Sequence, residues 1–152
     1  MSRVTGLLEK FAEHVRKDPW IAARGGVRVV VEERTNWISQ VEQALSTAGE
    51  ILVLVSFGGY RRRPGSGPAI LTGTLTVDAA VHENIALNRE RPGFATAMQV
   101  AEHLAASLHG AAVEGFDNPF LVEGLTPDNA SAISVVTSRF AVEQHLDVDE
   151  EE

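Results

Sequence analysis

The chain has 152 residues, a formal net charge of -8 and 44% hydrophobic residues. This length suits one domain with a core large enough to fold without covalent staples. The chain contains no cysteine, which excludes disulfides, thiolate catalysis and cysteine-bound zinc, and its acidity disfavours indiscriminate binding to nucleic acid.

The first half of the chain is predicted to alternate helices and strands. The expected elements are a leading helix over 4–17, a strand over 27–33, a helix over 37–48, a strand over 51–57 and a loop over 58–68. The leading helix ends at Asp18-Pro19, because the residue before proline avoids helical dihedral angles. Thr35 or Asn36 is expected to cap the second helix, and Gly49 to close it.

The next segment has the clearest periodicity in the chain. Alternation over 71–82 places Leu75, Val77 and Val81 on one face and threonines on the other, which is typical of a half-buried antiparallel strand. A polar turn ends at Arg91-Pro92-Gly93.

A helix over 97–108 follows, and its apolar residues recur at three- and four-residue spacing. Met98, Leu104 and Leu108 are expected to pack against the buried face of the preceding strand. This packing of a helix across a sheet is the predicted core.

The C-terminal part is less regular. Residues 111–121 show no period, a short strand is expected over 121–125, a turn over 126–129 and a closing strand over 133–146. The sequence therefore predicts an α+β domain over 1–146, with a mostly antiparallel sheet packed against two to three helices. Residues 147–152 form an acidic tail.

Charge divides unevenly along the chain. Residues 1–63 hold 10 Lys/Arg and 7 Asp/Glu, whereas residues 64–152 hold 3 and 14. The two halves thus carry +3 and -11. No apolar run is long enough to cross a bilayer, and charges in the leading helix exclude a signal peptide there, so a cytoplasmic protein is expected.

The titratable residues do not form a recognisable catalytic or metal-binding motif. The five histidines, His14, His82, His103, His109 and His145, lack ligand spacing. We therefore predict no metal, no cofactor and no enzymatic activity. A hydrolase site would have to assemble from Asp78, His82 and Glu83, and their proximity in sequence does not supply convergent geometry.

The predicted loop over 58–68 contains three consecutive arginines, Arg61, Arg62 and Arg63, in an otherwise acidic chain. They form the candidate interaction site, because guanidinium groups pair with carboxylates or phosphates. Candidate partners on a neighbouring copy are the acidic residues Glu114, Asp117, Glu123 and Asp128. The alternative is a solvated loop without a partner.

Several short segments resemble one family when they are taken in order. They are the strand over 27–33, the helix end over 45–49, the strand over 51–55, the run 81–84, Asn88-Arg89, the helix over 97–108 with the run 108–110, and the strand over 134–136. Together they resemble the tail-terminator and tail-completion proteins of tailed bacteriophages and prophages.

The resemblance implies a small α/β protein that forms a ring, usually a hexamer, at the head-proximal end of the tail tube. Such a ring stops tube growth and contacts tail tube protein and head–tail connector proteins, with nucleic acid only passing through its lumen. The protein would assemble in the host cytoplasm and then belong to the virion tail.

Two other classes of function remain open. One is a small-molecule or regulatory binding module with a pocket between sheet and helices. The other is the hydrolase considered above. Measuring the mass in solution separates a defined ring from a monomer that binds metabolites.

Overall fold

The computed structural model describes residues 2–32, 37–65, 71–88, 95–130 and 133–146. Within these ranges the chain forms five helices and five strands. In chain order they are α1 Arg3–Arg16, α2 Pro19–Ala23, β1 Val27–Val31, α3 Trp37–Leu45, β2 Ile51–Arg62, β3 Thr72–Asn84, α4 Ile85–Asn88, α5 Ala97–Leu108, β4 Leu121–Ala130 and β5 Ile133–His145.

The five strands form one sheet in the order β1-β2-β3-β5-β4. Strands β1 and β2 run parallel, which requires the crossover through α3, and the other three pairs are antiparallel. This confirms the predicted α+β class, with a single domain and a mostly antiparallel sheet.

Helices cover the sheet on both sides. Helix α1 packs on β1 and β2, and α5 packs on β3, β5 and β4, over a core that the three phenylalanines Phe11, Phe120 and Phe140 dominate. The ring centroids of Phe11 and Phe120 lie 5.3 Å apart in an edge-to-face arrangement. Helix α3 covers the opposite face and buries Leu52 and Leu54, which explains why residues 51–55 read as one apolar run.

The strand and the helix with the clearest periods are confirmed. Alternate residues of β3 are buried, and Leu104 and Leu108 of α5 pack in the same core. Met98 was wrongly assigned to this core, because its side chain is 42% exposed. Val100 is buried in the core instead. The buried stripe of α5 consists of Ala97, Val100, Ala101, Leu104 and Leu108.

Strand β2 is longer than predicted. The expected loop over 58–68 is wrong in its first part, because β2 continues to Arg62 in antiparallel pairing with β3. A bulge between Phe57 and Gly59 shifts the register, and Gly59 adopts a φ of 134°, which glycine tolerates. Residues 66–70 lie outside the described residues.

Strand β4 also extends beyond its predicted end. The expected turn over 126–129 is wrong, because these residues pair with β5, for example Pro127 with Val136. Proline is tolerated there because β4 is an edge strand and does not need every backbone donor. The predicted irregular connection over 111–121 contains neither helix nor strand up to residue 120.

The predictions for the helices and their ends are confirmed in part. The leading helix is confirmed, while the second helix ends at Leu45, before Gly49, which has a φ of 86°. Asp18-Pro19 follows the end of α1 and also begins α2, a helix that was not predicted. The Asp18 side chain caps α2 by accepting hydrogen bonds from its N-terminal backbone amides. The caps expected at 35–36, the helix entry at 91–93 and the acidic tail lie outside the described residues.

Candidate interaction surface

The three arginines extend one end of β2 rather than occupying a loop. Arg61 pairs with Thr74 and Arg62 with Gly73 in the β2–β3 ladder. The backbone N–H of Arg63 donates to the carbonyl of Thr72 over 2.8 Å, so the pairing continues one residue further. All three side chains are exposed. The strand therefore holds the arginines at fixed positions along the sheet.

Arg63 already has a carboxylate partner in its own chain. Its guanidinium pairs with Glu143 of β5, whose second carboxylate oxygen accepts a 2.7 Å hydrogen bond from the hydroxyl of Thr74. The Thr74 hydroxyl and then the Arg63 guanidinium lower the pKa of Glu143 below its usual value. Arg63 is therefore less suited than Arg61 to contact a partner.

The sheet has two edges that differ in charge. Strand β1 pairs only with Ile51–Val55, so among the described strands the rest of β2 forms an open edge that ends in the arginines. Strand β4 forms the opposite edge and carries Glu123 and Asp128, both exposed. The open part of β2 therefore ends in basic side chains, and the opposite edge carries acidic ones.

Each edge also exposes large apolar side chains. Phe57 on the open part of β2 is 46% exposed, and Leu121 and Leu125 on β4 are 56% and 37% exposed. Exposed apolar groups beside charged ones are typical of surfaces that contact other proteins.

The four acidic candidates occupy different settings. Glu114 pairs with Lys10 over 3.6 Å, while a carboxylate oxygen of Asp117 accepts a 3.1 Å hydrogen bond from the backbone N–H of His145. Asp117 and Asn118 thereby continue the β4 edge beside the end of β5, since the Asn118 amide also donates to the Glu143 carbonyl over 2.8 Å.

The structure does not bring Asp78, His82 and Glu83 together. Asp78 accepts two hydrogen bonds from the guanidinium of Arg139, at 2.9 and 3.0 Å, and raises the pKa of that arginine. Glu83 lies on the opposite face of β3 from the other two, because it is an odd number of residues away. The hydrolase site proposed from these three residues is therefore not formed.

His82 is a half-buried member of the sheet. A ring nitrogen lies 3.0 Å from the carbonyl oxygen of Ala80, and burial lowers the pKa of the imidazole despite this backbone contact and another to Leu52. A neutral histidine held by backbone atoms fits a structural role.

One cluster had no signal in the sequence. The imidazole of His103 on α5 bonds to the Asp18 carboxylate over 2.9 Å and stacks on Trp20, with ring centroids 4.5 Å apart. Burial raises the pKa of Asp18, but the hydrogen bond from His103 and the α2 backbone amides outweigh it, so that the pKa is lowered overall. Asp18 thus caps α2 and anchors α5.

One depression among the described residues does not have the character of a ligand pocket. It has a volume of about 550 Å³ and opens on the β4–β5 surface between polar residues such as Glu123, Thr126 and Arg139. Small-molecule sites are usually enclosed and mostly apolar. Across the described ranges, no three His, Asp or Glu side chains are placed to hold a metal ion, and no helix has the length and apolarity needed to span a membrane.

Comparison with solved structures shows a likeness in fold. No protein-family model matches the chain, and no curated protein matches it in sequence. Among solved structures, a chain from the virion of a native gene transfer agent particle aligns with a TM-score of 0.57, at 16% identity, over 90% of this chain and 93% of its own. The two chains share a fold.

The alignment covers most of the length of both chains. A second solved structure, which carries no descriptive name, aligns over 93% of this chain and 96% of its own at 17% identity. Its TM-score of 0.44 is too low to indicate a common fold.

Proposed function

We propose that this protein is a structural component of a phage-like virion, in which copies form a ring that terminates a tail tube. The observation that carries the proposal is the fold shared with a chain of the gene transfer agent virion over nearly the full length of both proteins. The order of motifs from residue 27 to 146, which resembles tail-terminator proteins, agrees with this assignment.

The surface of the domain supports ring formation. A closed ring needs a heterologous interface, in which two different patches of the same chain meet on adjacent copies. The basic end of β2 and the acidic β4 edge are two such patches at opposite sides of one sheet. Opposite charges steer the copies together and fix their register.

The partners follow from this role. One side of the ring would contact tail tube protein and the other head–tail connector proteins, and the ring is expected to be a hexamer. The protein would assemble in the host cytoplasm and remain in the virion tail. It would not be an enzyme, so screens with esterase, phosphatase, nuclease and peptidase substrates should stay at background.

Electron microscopy of the purified protein with isolated tail tubes tests the proposal. We expect closed rings of one size and rings seated at one end of the tubes. A protein that stays monomeric and leaves the tubes bare contradicts the proposal, and binding of a metabolite by that monomer would favour the small-molecule module. Genes for tube, sheath or tape-measure proteins beside this gene would support the virion role.

A further inference from the structure

Strands β2 and β5 end beside each other at one end of the sheet. Both pair antiparallel with β3, so they run in the same direction and finish on either side of the start of β3. Arg62 of β2 and Gln144 of β5 pair with the same residue of β3, Gly73. The arginine end of β2 is therefore level with the end of β5 and two strand spacings away from it.

An acidic run follows directly where β5 ends. Leu146 still donates its backbone N–H to the carbonyl of Leu71 over 2.8 Å. The run 147–152 lies outside the described residues, and its sequence contains two Asp and three Glu. Six extended residues span about 20 Å, whereas two strand spacings amount to roughly 10 Å. The run is therefore long enough to reach the arginines of its own chain.

The charges around the end of β5 favour this direction. The guanidinium of Arg3 donates to the carbonyl of His145 over 3.4 Å, so a further cation lies beside the start of the run. Arg61 is exposed, and no carboxylate of the described residues forms an ion pair with it. On the β4 side of β5, a carboxylate oxygen of Asp117 accepts from the His145 amide. Asp117 repels the acidic run, and the arginines attract it.

We propose that the acidic run 147–152 folds back over the start of β3 and binds the arginine end of β2 in its own chain, with Arg61 as the main contact. The planar guanidinium can engage a carboxylate through two donors. Arg63 is less available, because Glu143 already pairs with it. The contact needs no second protein. An acidic partner surface, including that of a neighbouring copy, must displace the run before it can reach Arg61.

A labelled peptide with the sequence of residues 147–152 probes the arginines from outside. Its fluorescence anisotropy is measured with the wild type and with a full-length variant in which Asn or Gln replaces the five carboxylates of the run. The neutralised variant should bind the peptide, and the wild type should bind it about tenfold more weakly. A short tether gives the run an effective concentration on the order of 1 mM, so this factor corresponds to a peptide Kd of about 0.1 mM.

Charge reversals locate the binding site in the neutralised full-length variant. Arg61→Glu should weaken peptide binding about tenfold or more, because it places like charges opposite each other. Lys17→Glu is the matched control, since Lys17 is exposed at the far end of α1, about 20 Å from Arg3 along the helix, and it should have little effect. The difference between wild type and neutralised variant should disappear near about 0.5 M salt, which screens exposed charges.

The outcomes separate binding within one chain from the alternatives. Equal peptide affinities of the wild type and the neutralised variant would overturn the contact, as would an absence of binding to both or binding that Arg61→Glu leaves unchanged. Weaker binding to the wild type only at protein concentrations where sedimentation detects association would assign the run to a neighbouring copy and overturn the contact within one chain. None of these outcomes decides whether rings form.

Discussion

The carboxylate of Glu83, near the end of β3, accepts a 2.9 Å hydrogen bond from the backbone N–H of Ala97, the first residue of α5. Glu83 is buried, and its other oxygen lies 3.4 Å from the amide of Asn88. The Asn88 oxygen in turn accepts from the backbone of Gly49 over 2.6 Å. One polar network therefore joins the start of α5 to the turn before β2.

Glu83→Ala should destabilise the fold by about 1–3 kcal/mol, because it leaves the buried backbone N–H of Ala97 without its acceptor and leaves the Asn88 amide with only the Glu50 carbonyl. Chemical denaturation measures the change. Glu83→Gln keeps one acceptor oxygen and should cost less. Equal stability of Glu83→Ala and the wild type would show that water replaces the carboxylate.

The core packing between β3 and α5 gives a second prediction. Leu75→Ala and Leu104→Ala should each cost about 2–5 kcal/mol, because both side chains are fully buried and leave cavities. Met98→Ala on the same helix is the control and should stay within about 0.5 kcal/mol, as expected at an exposed position. Thermal melts of the three variants that coincide with the wild type would contradict this assignment of faces.

The periodic elements were predictable because their burial follows from local pattern alone. Alternation in β3 and the helical stripe of α5 each have one buried face, so sequence spacing was sufficient. The assignment of Met98 to the core was wrong because Met98 lies at the border of the apolar stripe, where the shape of the sheet decides which side chains are buried.

The errors came from residues whose local preferences are overridden by strand pairing. Gly58-Gly59 favours a loop, but pairing with β3 across a bulge keeps the segment in the sheet. Pro127 favours a turn, and the edge position of β4 removes its usual penalty. Such ladders form between distant segments and leave no local signal.

The candidate site was predictable only in part. The arginine run is visible in the sequence, but the pairing of Arg63 with Glu143 joins residues 80 positions apart. The bond between His103 and Asp18 spans 85 positions.

The Asp18–His103 pair predicts a dependence of stability on acid. The pKa of Asp18 is lowered in the folded state, so its contribution is fully present above the ordinary aspartate value of about 3.8 and is lost as pH falls through the folded pKa. Asp18→Asn keeps a capping side chain but removes the charge. The variant should lose less stability than the wild type as pH falls below about 4. Parallel curves in acid denaturation would contradict the prediction.

Gly73 and Gly124 form a matched pair for testing the β2–β3 junction. A methyl group on Gly73 would overlap the carbonyl of Arg61, whereas nothing lies near Gly124. Gly73→Ala should therefore cost about 1–3 kcal/mol through overpacking, and Gly124→Ala should remain within about 0.5 kcal/mol. Similar unfolding free energies for the two variants would show that the strands separate easily beside Arg61.

The most direct test of the virion role is the mass of the purified wild-type protein by native mass spectrometry, at low salt and over a range of concentrations. We predict one closed oligomer, a hexamer, that loses subunits as salt screens the charged edges. A monomer at every concentration and salt would contradict the proposal that this domain forms a ring.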